Sequence, residues 1–349
     1  MLKTIVARVP WKQLLIIGAC FGGIPANATP VLVVDTGTRE VLYQEEAGRP
    51  WYPASTTKMT ALVVFEALRA AEISLTTPVT MSRNAVSQPF TNSDLTVGRS
   101  MTLEDALFAM LTASANDVAV AVAESVASDE ASFIGRMNET ANRIGLTGSH
   151  FASPNGLYDP QNYTTARDLA ILGMHLDHAF PEYRRFFQAS AVTIDGKELE
   201  SNNELLSRFP GTVGMKTGFL CASGRTFVGL AAQNEKRILV VILGATTERE
   251  RNERSAKFLT EAFSGQLASD AGLVDTLNNE TDVKPEDMRV RLCTSQAESY
   301  QASRDAAFPM GLAGHQTYLH DPFPGLTHAI NTWVNPDAAD VPIPLPRPS

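Results

Sequence analysis

Three neighbouring segments near the middle of the chain constrain its fold most. Residues 224–233 and 237–243 are apolar and have the length of strands, and Asn234-Glu235-Lys236 between them is polar and turn-like. The segment just before them, 211–219, also has the composition of a strand and carries Lys216-Thr217-Gly218. Consecutive strands with such short connections pair side by side. The sequence therefore predicts an antiparallel sheet.

Further segments predict that helices surround this sheet. Residues 31–34 and 40–44 are two more strand candidates, separated by a turn. Apolar helical patterns follow at 61–71, 103–113, 118–126, 132–144 and 165–179. The helix predicted at 249–263 has an apolar stripe, which we expect to pack against the sheet. From about residue 264 the chain is polar with weak periodicity and ends in a proline-rich stretch.

The composition is that of a globular protein. The chain has 349 residues, of which 44% are hydrophobic and 19% charged. This length suits one large domain with an extension. The net charge of -9 argues against nucleic-acid binding.

The N-terminus has the pattern of a secretory signal. Its first twelve residues carry three cations, and residues 14–24 form an apolar run that is too short to span a bilayer. Ala26-Asn27-Ala28 is a small-x-small cleavage site, so residues 1–28 are predicted to be removed. The alternatives are an uncleaved anchor and lipidation of Cys20. In each case the protein leaves the cytoplasm.

The segment around Ser55 is the first candidate for catalysis. Ser55 and Lys58 lie one helical turn apart, so they share a face of the helix predicted after them. A serine hydroxyl needs a base within hydrogen-bond reach, and a lysine can be that base if burial lowers its pKa. Alone, the pattern Ser-x-x-Lys is a weak signal.

Two more motifs follow in order, each with a purely structural alternative. Ser114-x-Asn116 lies between two predicted helices, and its polar residues could simply cap the second helix. Gly218 in Lys216-Thr217-Gly218 would let a ligand backbone approach as an added strand. The alternative is an ordinary surface strand with a glycine bend.

A metal site is not expected from the histidines. His175 and His178 have i, i+3 spacing on one predicted helix, but the sequence offers no evident third ligand. The three cysteines also fit no zinc spacing. We predict no metal and no organic cofactor.

Together, the three motifs carry a family resemblance. In their order along the chain they resemble those of the penicillin-binding proteins and serine β-lactamases. Longer stretches, 153–157 with 164–169 and 237–245 with 249–255, are similar to the low-molecular-mass D-alanyl-D-alanine carboxypeptidases. The resemblance covers residues 29–265. It implies an α/β (α+β) fold of the β-lactamase/transpeptidase type, with a central antiparallel sheet, helices on both faces and an inserted helical region.

The resemblance also implies catalytic roles. Ser55 would be the nucleophile, Lys58 would take its proton, and Ser114 would relay a proton to the leaving nitrogen beside Lys216. The backbone N–H groups of Ser55 and Phe219 would form the oxyanion hole.

The remaining implied roles concern the substrate, a peptidoglycan stem peptide. Asn116 would hold Lys58 and the substrate amide, and Thr217 and Arg251 would bind the terminal carboxylate. Gly218 would lie along the bound peptide. β-Lactams would mimic D-alanyl-D-alanine and trap Ser55 covalently.

The C-terminal residues 266–349 depart from the family pattern. They do not have the pattern of both a β-rich domain and an amphipathic membrane helix, so the resemblance implies a periplasmic enzyme without a strong membrane anchor. Cys221 and Cys293 remain after signal cleavage, in an oxidising compartment. We expect a disulfide between them; the alternative is two free, buried thiols.

Three rival functions use the same motifs. A D,D-endopeptidase differs mainly in the room that the cleft leaves beyond the scissile bond. A β-lactamase of class A needs a loop glutamate for deacylation, and the loop after Phe151 offers only Asp159. A non-catalytic penicillin-binding scaffold is the third alternative.

Overall fold

The computed structural model describes residues 29–335, except for 56, 92, 128 and 268–271. Its strands are β1 (Val31–Asp35), β2 (Val41–Glu45), β3 (Pro78–Thr80), β4 (Arg99–Thr102), β5 (Ala189–Ile194), β6 (Lys197–Glu200), β7 (Thr212–Leu220), β8 (Gly224–Gln233), β9 (Lys236–Ala245), β10 (Leu326–Ile330) and β11 (Trp333–Val334). Its α-helices are α1 (Thr57–Arg69), α2 (Arg83–Val86), α3 (Leu103–Thr112), α4 (Asn116–Val126), α5 (Glu130–Arg143), α6 (Ala166–Ala179), α7 (Leu205–Arg208), α8 (Glu248–Phe263), α9 (Arg289–Leu292) and α10 (Ala297–Ala307).

The central sheet is antiparallel and separates two cores. Its order is β2-β1-β9-β8-β7, so β7 lies at an edge. Successive side chains of a strand point to opposite faces. Accordingly Leu239 and Val241 join the large core beneath the helical region, whereas Val240 and Ile242 join the smaller core beneath α8. The predicted fold class, with helices on both faces of an antiparallel sheet, is confirmed.

The helices between β2 and β7 form the inserted region. Their apolar residues pack into one cluster with the sheet, and α1 is buried along nearly its whole length. Thr102 caps α3 through a hydrogen bond from the Asp105 backbone N–H, as its sequence pattern indicates. On the opposite face, Phe258, Leu259 and Ala262 of α8 pack against the sheet, which confirms the predicted stripe.

The structure has more regular elements than the sequence predicted at two places. The polar stretch 77–101 contains β3, α2 and most of β4. The C-terminal extension contributes α9, α10, β10 and β11. β10 pairs in parallel with β5, and β11 pairs antiparallel with β4.

The C-terminal extension runs around the rest of the molecule. Leu273 bridges to Glu40 near the start of β2, and farther on Cys293 forms a disulfide with Cys221 just beyond β7. These are the two cysteines that the sequence analysis paired. The described part of the extension then crosses α8 and lies beside β5 and β4.

Some sequence predictions concern residues outside the described part. The signal at 1–28 and the proline-rich end beyond residue 335 both lie there. Within the described ranges, none of the helices is both long and apolar enough to cross a bilayer.

Candidate active site

Ser55 lies where the large core meets the edge strand β7. Its lead-in segment is fixed by two bonds: the Trp51 indole donates to the Ser223 carbonyl at 2.8 Å, and the Thr226 hydroxyl donates to the Pro53 carbonyl at 3.1 Å. Ala54 has φ +57°, a left-handed conformation that a residue other than glycine rarely adopts. The chain is therefore held in a strained turn directly before the candidate nucleophile.

Lys58 is buried in the first turn of α1, on the same side as Ser55. Its ammonium donates to the Ser55 backbone carbonyl at 3.3 Å, and the Ser55 hydroxyl lies 2.9 Å from the Thr57 hydroxyl. Burial lowers the pKa of Lys58 to about 8. A lysine with such a pKa can accept a proton near neutral pH.

Lys216 and Ser114 come together from opposite sides of the cleft. The Lys216 ammonium on β7 donates to the Ser114 hydroxyl at 2.8 Å, although 102 residues separate them. Ser114 has φ +58°, so it too is in the left-handed region. The contact joins the second and third sequence motifs.

The two lysines titrate as neighbours. Burial, together with the charges of Lys58 and Arg251, lowers the pKa of Lys216 to about 7. Because both pKa values lie near neutrality, one lysine can be neutral while the other is charged near pH 7–8. The site thus holds one base and one cation beside a serine hydroxyl.

Asn116 has a different partner from the one that the resemblance implies. Its side-chain amide donates to the Phe90 carbonyl at 3.1 Å rather than to Lys58. Next to it, the Ser93 hydroxyl donates to the buried carboxylate of Asp117. Burial raises the pKa of that carboxyl group. The start of α4 therefore holds the loop that carries Phe90 against the cleft.

The capping alternative for the second motif is wrong. Ala115, which has no polar side-chain atom, occupies the N-cap position of α4. Ser114 instead points to Lys216, and Asp117 accepts from its neighbour Val118 and from Ser93.

Gly218 allows the two walls of the site to approach each other. A Cβ atom at this position would lie 2.7 Å from the Thr226 hydroxyl and 3.1 Å from the Cβ atom of Ala54. The absent side chain thus makes room for the segment that carries Ser55. Because β7 is an edge strand, its outer hydrogen-bonding groups also remain accessible to a ligand strand.

Arg251 is buried behind β7. Its guanidinium is 1% exposed and donates to the Asn202 carbonyl at 2.6 Å and to Asn252 at 2.9 Å. Burial lowers the pKa of Arg251 to about 10. It adds positive potential next to Lys216, and Thr217 on the same strand is also buried.

Phe219 borders the cleft on the β7 side. It is 48% exposed, and the Arg225 guanidinium lies 4.7 Å from its ring centre. Phe90, 79% exposed, lies on the loop held by Asn116.

Sequence reasoning missed the residues that support the nucleophile. Trp51 and Thr226 hold the lead-in segment, and Ser93 with Asp117 holds the opposite loop. Of these residues, only Trp51 could have been noticed in the sequence, because it is a large aromatic residue four positions before Ser55.

The two histidines lie elsewhere. His175 and His178 line a cavity of about 450 Å³ together with Arg39 and Arg143. Within the described ranges, no group of three or more potential ligand side chains is placed to hold a metal ion.

Comparison with known proteins agrees with this geometry. The sequence profile of the D-alanyl-D-alanine carboxypeptidase family matches residues 24–247. The D-alanyl-D-alanine carboxypeptidase DacC of Escherichia coli is 35% identical over 245 residues, which cover 68% of this chain and 61% of that protein. The chain thus spans less than two thirds of the length of this relative.

Solved structures give the same result. D-alanyl-D-alanine carboxypeptidase DacD from Francisella tularensis superposes with a TM-score of 0.66 at 26% identity, over 73% of this chain and 74% of that one. Penicillin-binding protein D2 from Listeria monocytogenes, solved in a cefotaxime-bound form, gives a TM-score of 0.61 at 30% identity, over 67% of this chain and 96% of that one.

Proposed function

Because the chain belongs to the family of D-alanyl-D-alanine carboxypeptidases, we propose that it removes the terminal D-alanine from peptidoglycan stem pentapeptides by way of a Ser55 acyl-enzyme. One observation carries this proposal. Ser55 lies beside two buried lysines with lowered pKa values, and one of them contacts Ser114 across the cleft.

Acylation uses these groups in sequence. The Ser55 oxygen attacks the carbonyl carbon of the penultimate D-alanine as its proton passes to neutral Lys58. The oxyanion that forms is stabilised by the backbone N–H groups of Ser55 and Phe219. The peptide C–N bond then breaks as Ser114, held by Lys216, passes a proton to the departing amine. Ser114 takes up in return the proton that Lys58 accepted from Ser55, so Lys58 is neutral again. Asn116 orients the substrate amide.

Deacylation returns the enzyme to its resting state. Water attacks the ester carbon and gives a proton to the same base, and the C–O bond to Ser55 breaks. The products are the shortened stem peptide and Ser55 with its proton restored. Apart from proton transfers through Lys58 and Ser114, every bond made or broken belongs to the substrate, water or Ser55, so the reaction needs no metal or organic cofactor.

The cleft suits a substrate that ends in a carboxylate. Lys216 and Arg251 provide positive potential at one end, and Thr217 offers a hydroxyl for a hydrogen bond. Gly218 lies along the peptide, which adds to the edge of β7 as a strand. A β-lactam presents a similar carboxylate and a reactive amide, so we expect β-lactams to acylate Ser55.

The proposal includes an organisation of the chain. Residues 1–28 direct export to the periplasm, 29–265 form the catalytic domain, and 266–349 form a C-terminal extension. The signal pattern and the disulfide between Cys221 and Cys293, a bond typical of oxidising compartments, support this location.

Mass spectrometry of muropeptides incubated with the mature protein tests the function. We expect loss of one alanine from pentapeptide stems, and no loss with Ser55→Ala. Conversion of cross-linked dimers to monomers would instead establish an endopeptidase. Covalent labelling by penicillin without either change would refute both peptidase activities on these substrates.

A further inference from the structure

The two histidines that stand out in the sequence line a cavity that the proposed function does not use. This cavity of about 450 Å³ lies within the usual size range of small-molecule sites, about 300–1,000 Å³. Its charged and titratable side chains come from the turn between β1 and β2, the end of α5, helix α6 and the C-terminal extension, and they are Arg39, Arg143, His175, His178 and Asp275. None of them belongs to the catalytic cleft.

A neighbouring cavity of about 410 Å³ adjoins the first. Arg143, His175 and Ala179 line both cavities, so Arg143 and His175 lie where the two meet. The larger cavity also has an apolar wall, which consists of Ile144, Ile171 and Met174. A ligand with a polar end at the junction can therefore place an apolar part against this wall.

Two arginines at this site are held by carboxylates and keep donors free. Arg39 uses Nε and Nη2 toward Asp275, at 2.6 and 2.5 Å, and Arg143 uses Nη2 toward both oxygens of Glu66 at 2.8 Å. Nη1 of Arg39, and Nε and Nη1 of Arg143, have no hydrogen-bond partner in the described part of the chain. A guanidinium that is already held in place loses less conformational freedom when it binds a ligand.

His175 adds a further donor at the junction. Its ring is half-buried and has no hydrogen-bond partner among the residues that the structure describes. Burial lowers the pKa of His175, although the charge of Glu66 opposes this. The charges of three neighbours lower the pKa as well, and these are Arg143, Arg69 and His178. The ring is therefore neutral near pH 7 and donates from one nitrogen.

The junction has more free donors than free acceptors. The two carboxylates that line the cavities, Glu66 and Asp275, already accept from the arginines. A cationic ligand would compete with these ion pairs, whereas an anion with several oxygens can accept from Arg39, Arg143 and His175 together. A phosphate monoester presents three strong acceptor oxygens, and a carboxylate presents two.

We propose that Arg39, Arg143 and His175 bind the phosphate group of a phosphate monoester. The organic part of this ligand lies in the larger cavity against Ile144 and Met174. Charge-assisted hydrogen bonds from the two guanidinium groups supply most of the affinity. Because this site is separate from the catalytic cleft, it does not depend on the proposed function.

NMR of protein with ¹³C-labelled histidine, titrated with phenyl phosphate at pH 7, tests the proposal. We expect a saturable shift of the His175 ring resonance, which the spectrum of His175→Gln assigns, and no shift of His328, which contacts Asp105 elsewhere. Phenol should cause no saturable shift, and benzoate should bind about fivefold more weakly than phenyl phosphate. The pKa of His175 should rise in the complex, because a nearby anion favours the charged ring.

Two variants on separate elements locate the phosphate group. Arg39→Gln and Arg143→Gln should each weaken phenyl phosphate binding about tenfold, as expected for loss of a hydrogen bond to a charged group. Arg136→Gln is the matched control, because Arg136 also lies on α5 but pairs with Glu72 at 2.9 Å and lines neither cavity. It should leave the affinity unchanged. Unaltered circular dichroism shows that each variant is folded.

Either of two results would overturn the proposal. One is the absence of a saturable His175 shift with phenyl phosphate. The other is an unchanged affinity in both Arg39→Gln and Arg143→Gln protein. If Lys216→Ala protein also lost the binding that these two variants keep, the phosphate would lie in the catalytic cleft instead.

Soluble esters and lipid headgroups both present a phosphate monoester. Sedimentation with phosphatidylcholine vesicles that contain phosphatidic acid distinguishes the two sources. Cosedimentation that Arg143→Gln abolishes would identify a lipid phosphate as the ligand. Binding of phenyl phosphate without cosedimentation would identify a soluble ester. Both results support the phosphate site.

Discussion

Ser55 lies beside two lysines that the fold keeps out of water. Burial disfavours an ammonium group, since the interior cannot replace its hydration. The pKa of Lys58 falls to about 8 and that of Lys216 to about 7, so the fold provides a base near neutral pH without a histidine. The same burial costs folding free energy.

Replacing Lys58 distinguishes its contribution to catalysis from the folding free energy that its burial costs. The folded-state pKa lies below the unfolded one, so the folded protein binds fewer protons between about pH 8 and pH 10.5, and its stability rises with pH there. We expect Lys58→Met to abolish penicillin acylation and to raise the free energy of unfolding by about 2 kcal/mol at pH 7. At pH 10 the gain should be smaller.

Urea denaturation at the two pH values measures this effect. Lys236→Met is the control, because Lys236 is exposed at the start of β9 and its replacement should leave stability and acylation unchanged. Destabilisation by Lys58→Met at pH 7 would contradict the assigned cost of burial.

The rate of acylation should follow the same titration. Neutral Lys58 is needed to take the Ser55 proton, so the second-order rate constant with penicillin should rise with pH and level off above the pKa of Lys58, about 8. Stopped-flow measurements between pH 5 and pH 9 test this. A rate that is independent of pH in this range would exclude a buried lysine as the base.

At the scale of elements, the site depends on how closely β7 approaches the Ser55 segment. Thr226 on β8 donates to Pro53, and Gly218 on β7 lies against Ala54. The sheet thus fixes the nucleophile from behind, while α4 fixes the loop on the other side of the cleft through Asn116.

A methyl group at Gly218 should separate these elements. Its Cβ atom would lie 2.7 Å from the Thr226 hydroxyl and 3.1 Å from Ala54, and overpacking of this kind typically costs about 1–3 kcal/mol. We expect Gly218→Ala to slow penicillin acylation about tenfold or more. Gly135→Ala is the control, because a Cβ atom there meets nothing within 4 Å and should leave the rate unchanged. An unchanged rate in Gly218→Ala would show that the nucleophile segment tolerates displacement.

Secondary-structure elements that are determined by residues close together in the sequence could be predicted. The pairing of β8 and β9 follows from two apolar runs with a short turn, and the cap of α3 follows from Thr102. The strands β4 and β10 could not be predicted, because each is short and has no continuous apolar run. β10 finds its partner, β5, more than 130 residues away.

The candidate site also has residues that could be predicted from the sequence and contacts that could not. The three motifs identified the residues that meet in the cleft, such as Ser114 and Lys216, because their order along the chain carries the family resemblance. The partner of Asn116 could not be predicted, since Phe90 lies in a loop whose path depends on Asp117 and Ser93.

At the scale of the whole molecule, the extension is part of the fold. Arg304 of α10 is fully buried and pairs with Glu250 of α8, which also accepts from Arg254 at 3.0 Å. The Phe308 ring lies within 4.6 Å of both guanidinium groups. A buried charge that loses its partner is costly, so this contact couples the extension to the catalytic region.

The protein should therefore unfold as one unit. We expect a single urea transition when intrinsic fluorescence and circular dichroism are compared. Arg304→Ala, which leaves Glu250 with one cation instead of two, should lower the free energy of unfolding by about 3 kcal/mol. Cys293→Ser removes the disulfide, which joins residues 72 positions apart. This change should lower the free energy of unfolding by about 2–5 kcal/mol.

Neither variant should create a second transition, because β10 and β11 of the extension still pair with β5 and β4. Two separate transitions in the unaltered protein, or release of the extension by brief proteolysis with the rest intact, would mean that it is an independent unit. Its position beside the end of β7 would then not be fixed by the fold.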